Sequence, residues 1–251
     1  MNLDIKLSFN KKIKALQILN HLLIIPCLYY ENVFWWLLGL GSYIIVEGCG
    51  VSVGLHRYFS HRSFKTNFIF EFLLLFLGTV STLGSTIAWV GVHRKHHSVS
   101  DKEGDPHSPL IIGFFRSYVG YWPRFDVSLK DVKDLSRNKY HRFFHKNYFK
   151  IIFLWCLILF AINPLLVLFV YCLPAVGSFH AAAMVNTICH KLGYRNFPTK
   201  DHSQNNLFVA LITCGEGYHN NHHQRPNCYN FSKKWWELDL GALFVKLIKI
   251  K

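Results

Sequence analysis

Apolar residues along this chain collect in long blocks and not in amphipathic stripes. Several blocks approach the roughly 20 apolar residues that a helix needs to cross a bilayer, and residues 151–171 contain no charged side chain. The pattern predicts an all-α, polytopic membrane protein, with a large soluble helical core as the alternative. The blocks are residues 13–30, 33–55, 68–90, 150–171 and 173–190.

Charge and cysteine content agree with a membrane protein. The formal net charge is +14, a value that in a soluble protein would suggest nucleic-acid binding. Here the basic residues concentrate in residues 6–14, 130–142 and 233–251, which is typical of cytosolic segments that face anionic lipid headgroups. We therefore expect membrane lipid and no nucleic acid as a partner. The seven cysteines form no CxxC pair, and a reducing environment is expected.

Eight of the fifteen histidines fall into three clusters, each just outside an apolar block. On a helix, residues three and four apart share a face, whereas adjacent residues diverge by about 100°. One HxxHH motif can therefore offer nitrogens to two metal ions. Neutral imidazole binds iron, copper and zinc alike, so the clusters predict a metal site without choosing the metal. The clusters are His56 and His61; His93, His96 and His97; and His219, His222 and His223.

A shared metal site determines the predicted topology. The clusters on either side of residues 68–90 can meet only if that block does not cross the membrane, and Glu71 and Gly84 interrupt its apolar run. The chain, residues 1–251, is then one membrane domain with both termini and the metal site in the cytosol, in a bacterial inner membrane or an ER-type membrane. Its four spans would be residues 13–30, 33–55, 150–171 and 173–190, with the last two joined at residues 172–174.

The order and the residues of these motifs resemble those of the membrane fatty acyl desaturases. GLHRYFSHRSFK, WVGVHRKHH, GDPH, VNTICHKLGYR and GEGYHNNHH follow one another between residues 40 and 240. This set of motifs is similar to that of the stearoyl-CoA or delta-9 desaturases. In its residues it most resembles the bacterial and plastid-type enzymes. The resemblance implies a non-haem di-iron centre with nine histidine ligands. These are the eight clustered histidines and His190, which ends the pattern VNxxxH.

The resemblance also implies roles for two residues beside the ligands. Asn186 would hold a water molecule on one iron, and Trp89 would line the substrate tunnel. The alternative for Trp89 is a residue of the interfacial aromatic belt. From the residues alone, the role of His190 stays open, as do those of His107, His180 and His202. We expect His141 and His145 to be solvated.

Each imidazole ligand needs a partner that orients its second ring nitrogen. Five acidic residues lie near the clusters: Asp101, Glu103, Asp105, Asp201 and Glu216. We predict that Asp105, Asp201 and Glu216 fill this role. The alternative for each is an ordinary surface carboxylate.

The resemblance implies an O2-dependent oxidoreductase that inserts a cis double bond into a saturated acyl chain, with delta-9 as the usual position. A C–H bond in the middle of an alkyl chain has neither an acidic proton nor a leaving group, so acid–base and nucleophilic side chains cannot attack it. Two Fe2+ ions, O2 and two external electrons would be required. The sequence contains no recognisable haem or iron–sulfur domain, and we expect a separate ferredoxin or cytochrome b5-like donor, attracted by the basic cytosolic face.

The acyl carrier stays open between CoA, lipid and acyl-carrier protein. Gly91 and Val92 stand where animal acyl-CoA enzymes have an Arg-Asp pair that helps to hold CoA, and Ala183 stands where they have tryptophan. Three other functions compete with desaturation. A hydroxylase or oxidase of acyl or alkyl chains would use the same scaffold. A metal transporter is disfavoured because residues 151–171 offer only Asn163 as a mid-membrane polar residue, and a pseudo-enzyme because all nine expected ligands are present.

Overall fold

The computed structural model describes residues 7–119 and 128–250, and this part of the chain consists of helices and turns without a strand. The all-α prediction is confirmed. A short 3-10 turn, Ile25–Tyr29, follows the first helix. The helices are α1 Leu7–Leu23, α2 Val33–Ser60, α3 Phe68–Val80, α4 Thr86–Val99, α5 Pro109–Ile112, α6 Phe114–Val119, α7 Lys133–Arg137, α8 Lys139–Lys146, α9 Tyr148–Ile162, α10 Pro164–His190, α11 Leu207–Ile212, α12 His219–Gln224 and α13 Leu240–Ile248.

Two of the described helices are long and apolar enough to cross a membrane. α2 has 28 residues and α10 has 27, with mean hydropathies of 1.5 and 1.9. α8 and α9 satisfy the same criterion together, but they meet at a bend of 72°, so the number of candidate spans is two or three. α1 is too short for this criterion, because the helix gives way to the 3-10 turn that contains Pro26. The prediction of four spans is therefore met only in part.

The break between the last two apolar helices lies at Asn163, and its prediction at residues 172–174 was wrong. Asn163 is extended, with φ −162° and ψ 125°, and its side chain accepts a hydrogen bond of 2.9 Å from the Leu165 amide. Pro164 follows at the first helical position, where a missing N–H costs nothing. Pro174 lies inside α10, just after a stretch with the wider π-helical hydrogen bonding, Val167–Cys172, and such a stretch gives the proline ring room.

α2 is the centre of the fold, and α3 packs directly on its backbone. A Cβ atom added to Gly50 would come within 2.6 Å of the Leu77 carbonyl carbon, so only glycine permits this contact. α3 has 13 residues and a length of about 20 Å, and the turn at residues 81–85 leads back into α4. Near its start, the segment of residues 68–90 contacts α2 through the hydrogen bond between Tyr58 and Glu71, and near its end the Trp89 ring lies 6.1 Å from that of His56. That residues 68–90 do not cross the membrane stays a prediction.

Candidate metal centre

The ends of four helices converge on one point and bring all nine predicted histidine ligands together. The histidines lie at the end of α2 and on the residue after it, in the last turns of α4, at the end of α10 and in α12. Within each of two groups, the ring nitrogens lie within 4.8 Å of one another. The five-histidine group contains His56, His61, His93, His97 and His222; the four-histidine group contains His96, His190, His219 and His223.

The HxxHH spacing explains why two groups form. In α4, His93 and His97 enter the five-histidine group, whereas His96 enters the other. α12 divides its histidines in the same way, with His222 in one group and His219 and His223 in the other. Residues four apart share a helix face and adjacent residues do not, so each motif supplies both groups.

Most Nε2···Nε2 distances between the imidazoles fit two metal ions, and the distance between His61 and His93 is shorter, at 2.7 Å. The Nε2 atoms of His56 and His97 lie 3.0 and 2.9 Å from that of His222, and those of His190 and His219 are 3.0 Å apart. Two nitrogens bound to one ion at about 2.1 Å, at angles of about 90–109°, are roughly 3.0–3.4 Å apart. Unprotonated Nε2 lone pairs at this separation repel each other unless a cation lies between them.

Four carboxylates accept hydrogen bonds from the Nδ1 atoms of four of the nine histidines. These bonds direct the Nε2 atom of each ring toward the centre. Glu216 accepts a hydrogen bond from Nδ1 of His56. The other three pairs have Nδ1···O distances of 2.8–2.9 Å. They are His96 with Asp105, His190 with Asp101, and His223 with Asp201.

Three of these four carboxylates are the predicted ones. Glu216 reaches across to α2 and not to the histidine three residues after it. Asp101 joins the set through His190, a pairing of residues 89 positions apart that sequence spacing does not indicate. Glu103, the remaining acidic candidate, is exposed.

Burial lowers the pKa of six of the nine imidazoles and favours their neutral form, which is the form that binds metal. Burial and the neighbouring imidazoles lower the pKa of His61 to about 2 and that of His222 well below its ordinary value. The carboxylates stay charged. Burial tends to raise the pKa of Asp101, but hydrogen bonds from His190, Ser108 and the His202 amide outweigh it and lower that pKa to about 2.

A fully buried arginine connects the centre to the C-terminal segment. Arg57 is 0% exposed, and its guanidinium group lies 3.8 Å from the centre of the Phe231 ring. It forms ion pairs with Glu216 and Asp239, the latter through N···O contacts of 2.9 and 3.0 Å. No pattern in the sequence indicated this network. Arg57 stands next to His56, but nothing in the sequence pairs it with an acid 182 residues further on.

A cavity adjoins both histidine groups, and its remaining lining is half apolar and half polar by residue. Trp89 lines it and stacks on His93, with ring centres 4.9 Å apart and planes 14° apart. Asn186 is half-buried and lines the same cavity, as predicted for a residue near the centre. The other lining residues outside the two groups are Glu47, Val51, His107, Ala182, Val185 and Glu216.

Two histidines differ from their expected surroundings. His141 is 3% exposed and packs edge-on against Phe59, with ring centres 4.9 Å apart. His145 is half-buried and pairs with the Ser85 hydroxyl at 2.6 Å. The prediction that both are solvated was wrong, because the basic stretch around them folds as α8 and packs against α4.

Replacing Asp201 by asparagine is expected to weaken metal binding by the four-histidine group by about 10- to 100-fold, the usual effect of removing a carboxylate that orients a ligand. The carboxylate accepts the 2.8 Å hydrogen bond from Nδ1 of His223 and sets the direction of Nε2. Chelator competition on the purified full chain measures the affinity. Glu103→Gln is the matched control and should leave the affinity unchanged; equal affinities for both variants would contradict the assignment of Asp201.

Comparisons with known proteins agree on one family. A family model described as fatty acid desaturase matches residues 34–243. The sn-1 stearoyl-lipid 9-desaturase of Synechocystis sp. is 36% identical over 215 residues, covering 83% of this chain and 67% of that protein. The enzyme of the same name from Anabaena variabilis is 35% identical over 227 residues, covering 88% and 83%. The hex-5-enoyl-(acyl-carrier protein) acetylenase of Moorena producens is 33% identical over 223 residues, covering 78% and 68%.

Proposed function

The chain belongs to the fatty acid desaturase family and is an oxidoreductase, and on this premise we propose that it is an O2-dependent di-iron desaturase of saturated acyl chains. The observation that carries the proposal is the meeting of five and four imidazoles at a cavity whose remaining lining is half apolar. The proposed product is a cis double bond at the delta-9 position. This position draws support from the two relatives named as 9-desaturases.

In this proposal the nine histidines would hold two iron ions for the activation of O2, which is the oxidant. With two external electrons and two protons, O2 takes two hydrogens from adjacent chain carbons and ends as two molecules of water. The protein's side chains orient the metal ligands and position the substrate. The four carboxylates fix four of the nine rings so that their Nε2 atoms face inward, and Asn186 would hold a water molecule beside one ion. No side chain needs to act as an acid, a base or a nucleophile toward the substrate.

Substrate positioning falls to the apolar part of the cavity. Trp89 is held against His93, and an acyl chain that passes Trp89 therefore lies beside the histidine groups. Val51 on α2 and Val185 on α10 line the passage from two sides. Because placement to within about 1 Å governs such reactions, the rigid stacking of Trp89 favours reaction at one pair of carbons.

We propose acyl-lipid as the carrier. Gly91 and Val92 offer no charged side chain for CoA, and both are buried in α4. Two of the similar proteins are named for a stearoyl-lipid substrate, although the acetylenase is named for acyl-carrier protein. Four spans with a cytosolic centre belong to the same proposal, with α1 and the α8–α9 pair as the two outer spans.

A separate protein would supply the two electrons, and the exposed basic side chains near the centre would attract an acidic donor such as a ferredoxin or a cytochrome b5-like protein. Lys95, Lys102, Lys200 and Arg225 are exposed near the half-buried His97 and His223. Electrostatic attraction of this kind weakens as ionic strength rises.

The fatty acid profile of desaturase-deficient cells that express the full chain tests the proposal. We expect new cis-monounsaturated chains, in the membrane lipids, with the bond at delta-9. Hydroxylated chains would favour the alternative of a hydroxylase on the same scaffold, and triple bonds the reaction for which the acetylenase relative is named. Unchanged lipids, with iron and both donor types supplied, would contradict the proposal.

A further inference from the structure

A carboxyl group lies deep in the molecule at a distance from the two histidine groups. Glu47 stands near the middle of α2, nine residues before His56, and is 1% exposed. Its Oε2 atom has no hydrogen-bond partner among the described residues. An ionisable side chain inside a membrane-spanning helix is costly and marks a functional site by default. The carboxylates that orient the imidazoles do not include this one.

A second buried polar group faces it from α10. The two helices approach closely where the Tyr43 ring meets Gly177, so closely that a Cβ atom on Gly177 would lie 2.6 Å from the ring. Ser178 follows, is 0% exposed and lies within interaction range of the Glu47 carboxyl group. Within the described part of the chain, the Ser178 hydroxyl also lacks a hydrogen bond. The Ser178 hydroxyl has one proton and can satisfy only one oxygen of the Glu47 carboxyl group. The other oxygen costs free energy unless a bound molecule supplies a donor.

Glu47 lines the same cavity as His56 and Trp89 and lies nine residues further from the end of α2 than His56. A lipid headgroup, CoA or a carrier protein is too large for this interior, so the part of an acyl chain that reaches Glu47 is its methyl-terminal side. A plain saturated chain would leave one oxygen of the carboxyl group without a hydrogen-bond donor. A hydroxyl on the chain can donate a hydrogen bond to that oxygen, while Ser178 satisfies the other.

We propose that Glu47 and Ser178 form a polar subsite for a hydroxyl group on the methyl-terminal side of the acyl chain, so that this chain prefers hydroxyacyl substrates. The inference rests on the proposed function and names its substrate class. Nine residues of helix rise by at most about 13 Å, and the hydroxyl therefore lies within about that distance of the reacting carbons.

A competition experiment in desaturase-deficient cells expressing the full chain tests the subsite. The cells receive equal amounts of stearate and one hydroxystearate, with the hydroxyl moved along the methyl-terminal half from one culture to the next. The ratio of the two desaturated products measures preference, and protein amount, metal loading and electron supply cancel from it. We expect one hydroxyl position to be favoured over stearate by about tenfold, because a site built to bond a hydroxyl disfavours the analogue without it.

Three variants sharpen the test. Glu47→Leu should remove the preference or reverse it toward stearate, and Ser178→Ala should reduce it. Glu71→Leu is the matched control, because Glu71 is a half-buried acid on the apolar helix α3 that bonds Tyr58 and does not line the cavity. It should keep the wild-type ratio. A wild-type preference for stearate at every hydroxyl position, or a ratio that Glu47→Leu leaves unchanged, would overturn the proposal.

Failure of the proposed function has a different signature. In that case, the wild-type chain forms no unsaturated product from either substrate. Competition binding of labelled stearate and hydroxystearates to the purified chain then tests the subsite without turnover. The same preference of about tenfold in Kd, lost in Glu47→Leu, supports the subsite, and equal Kd values overturn it.

Discussion

Replacing His222 by alanine is expected to empty the five-histidine group of metal and to lower turnover by more than about 100-fold, because removing a ligand costs more than removing the residue that orients it. His222 is fully buried, and its Nε2 lies 3.0 Å from that of His56 and 2.9 Å from that of His97. Its loss opens the group on the side of α12. Metal content of the purified variant and the lipid profile of cells that express it measure the two effects.

His202→Ala is the matched control for this variant. His202 is exposed and lies outside both groups, and the hydrogen bond it makes to Asp101 comes from its backbone amide, which alanine retains. Metal content and turnover should stay at the wild-type level. A His222→Ala protein that keeps both would refute the assignment of the α12 histidines.

Replacing Asp239 by alanine is expected to lower the free energy of unfolding by about 3–5 kcal/mol, because it breaks a buried ion pair and leaves part of a buried charge uncompensated. Arg57 is 0% exposed and would keep Glu216 as its one remaining carboxylate. Asp239 also caps α13 through the Ala242 amide, and the loss of that cap contributes about 1 kcal/mol of the effect. Thermal unfolding should show a fall in Tm of roughly 10 °C.

Asp134→Ala is the comparison variant. Asp134 also pairs with two arginines, but the Arg62 side chain is 65% exposed, and such a pair contributes only about 0–1 kcal/mol. Its Tm should fall by a few degrees at most. If both variants lose the same stability, the buried Arg57 network does not hold the C-terminal segment in the way described.

The sequence predicted those parts of the centre that depend on local spacing. HxxHH has a direct geometric meaning on a helix, so the division of His96 and His97 between two groups follows from the motif. The prediction that residues 68–90 stay on one side of the membrane followed from requiring the clusters to meet, and it stays a prediction. His190 needed the family resemblance, because a single histidine at a helix end has no informative spacing.

Long-range pairings and helix breaks could not be predicted in the same way. The contact of Arg57 with Asp239 depends on how distant segments pack, and no local pattern encodes it. The turn at Asn163 was missed because Pro174 suggested that the helix breaks there. In the structure, the helix continues through Pro174, which follows a π-helical stretch. Glu47 carried a usable signal, an acid inside an apolar block, but its unpaired state became visible only once α2 and α10 were packed together.

Metal stoichiometry of the purified full chain is the most direct test of the central claim, that the nine histidines form one centre for two metal ions. Elemental analysis, combined with X-ray absorption at the metal edge, counts the ions and identifies their ligands. We predict two ions per chain, each coordinated mainly by nitrogen atoms. The His222→Ala variant should bind at most one ion. A full-length, folded chain that binds a single ion or none after reconstitution with Fe2+ would contradict the account.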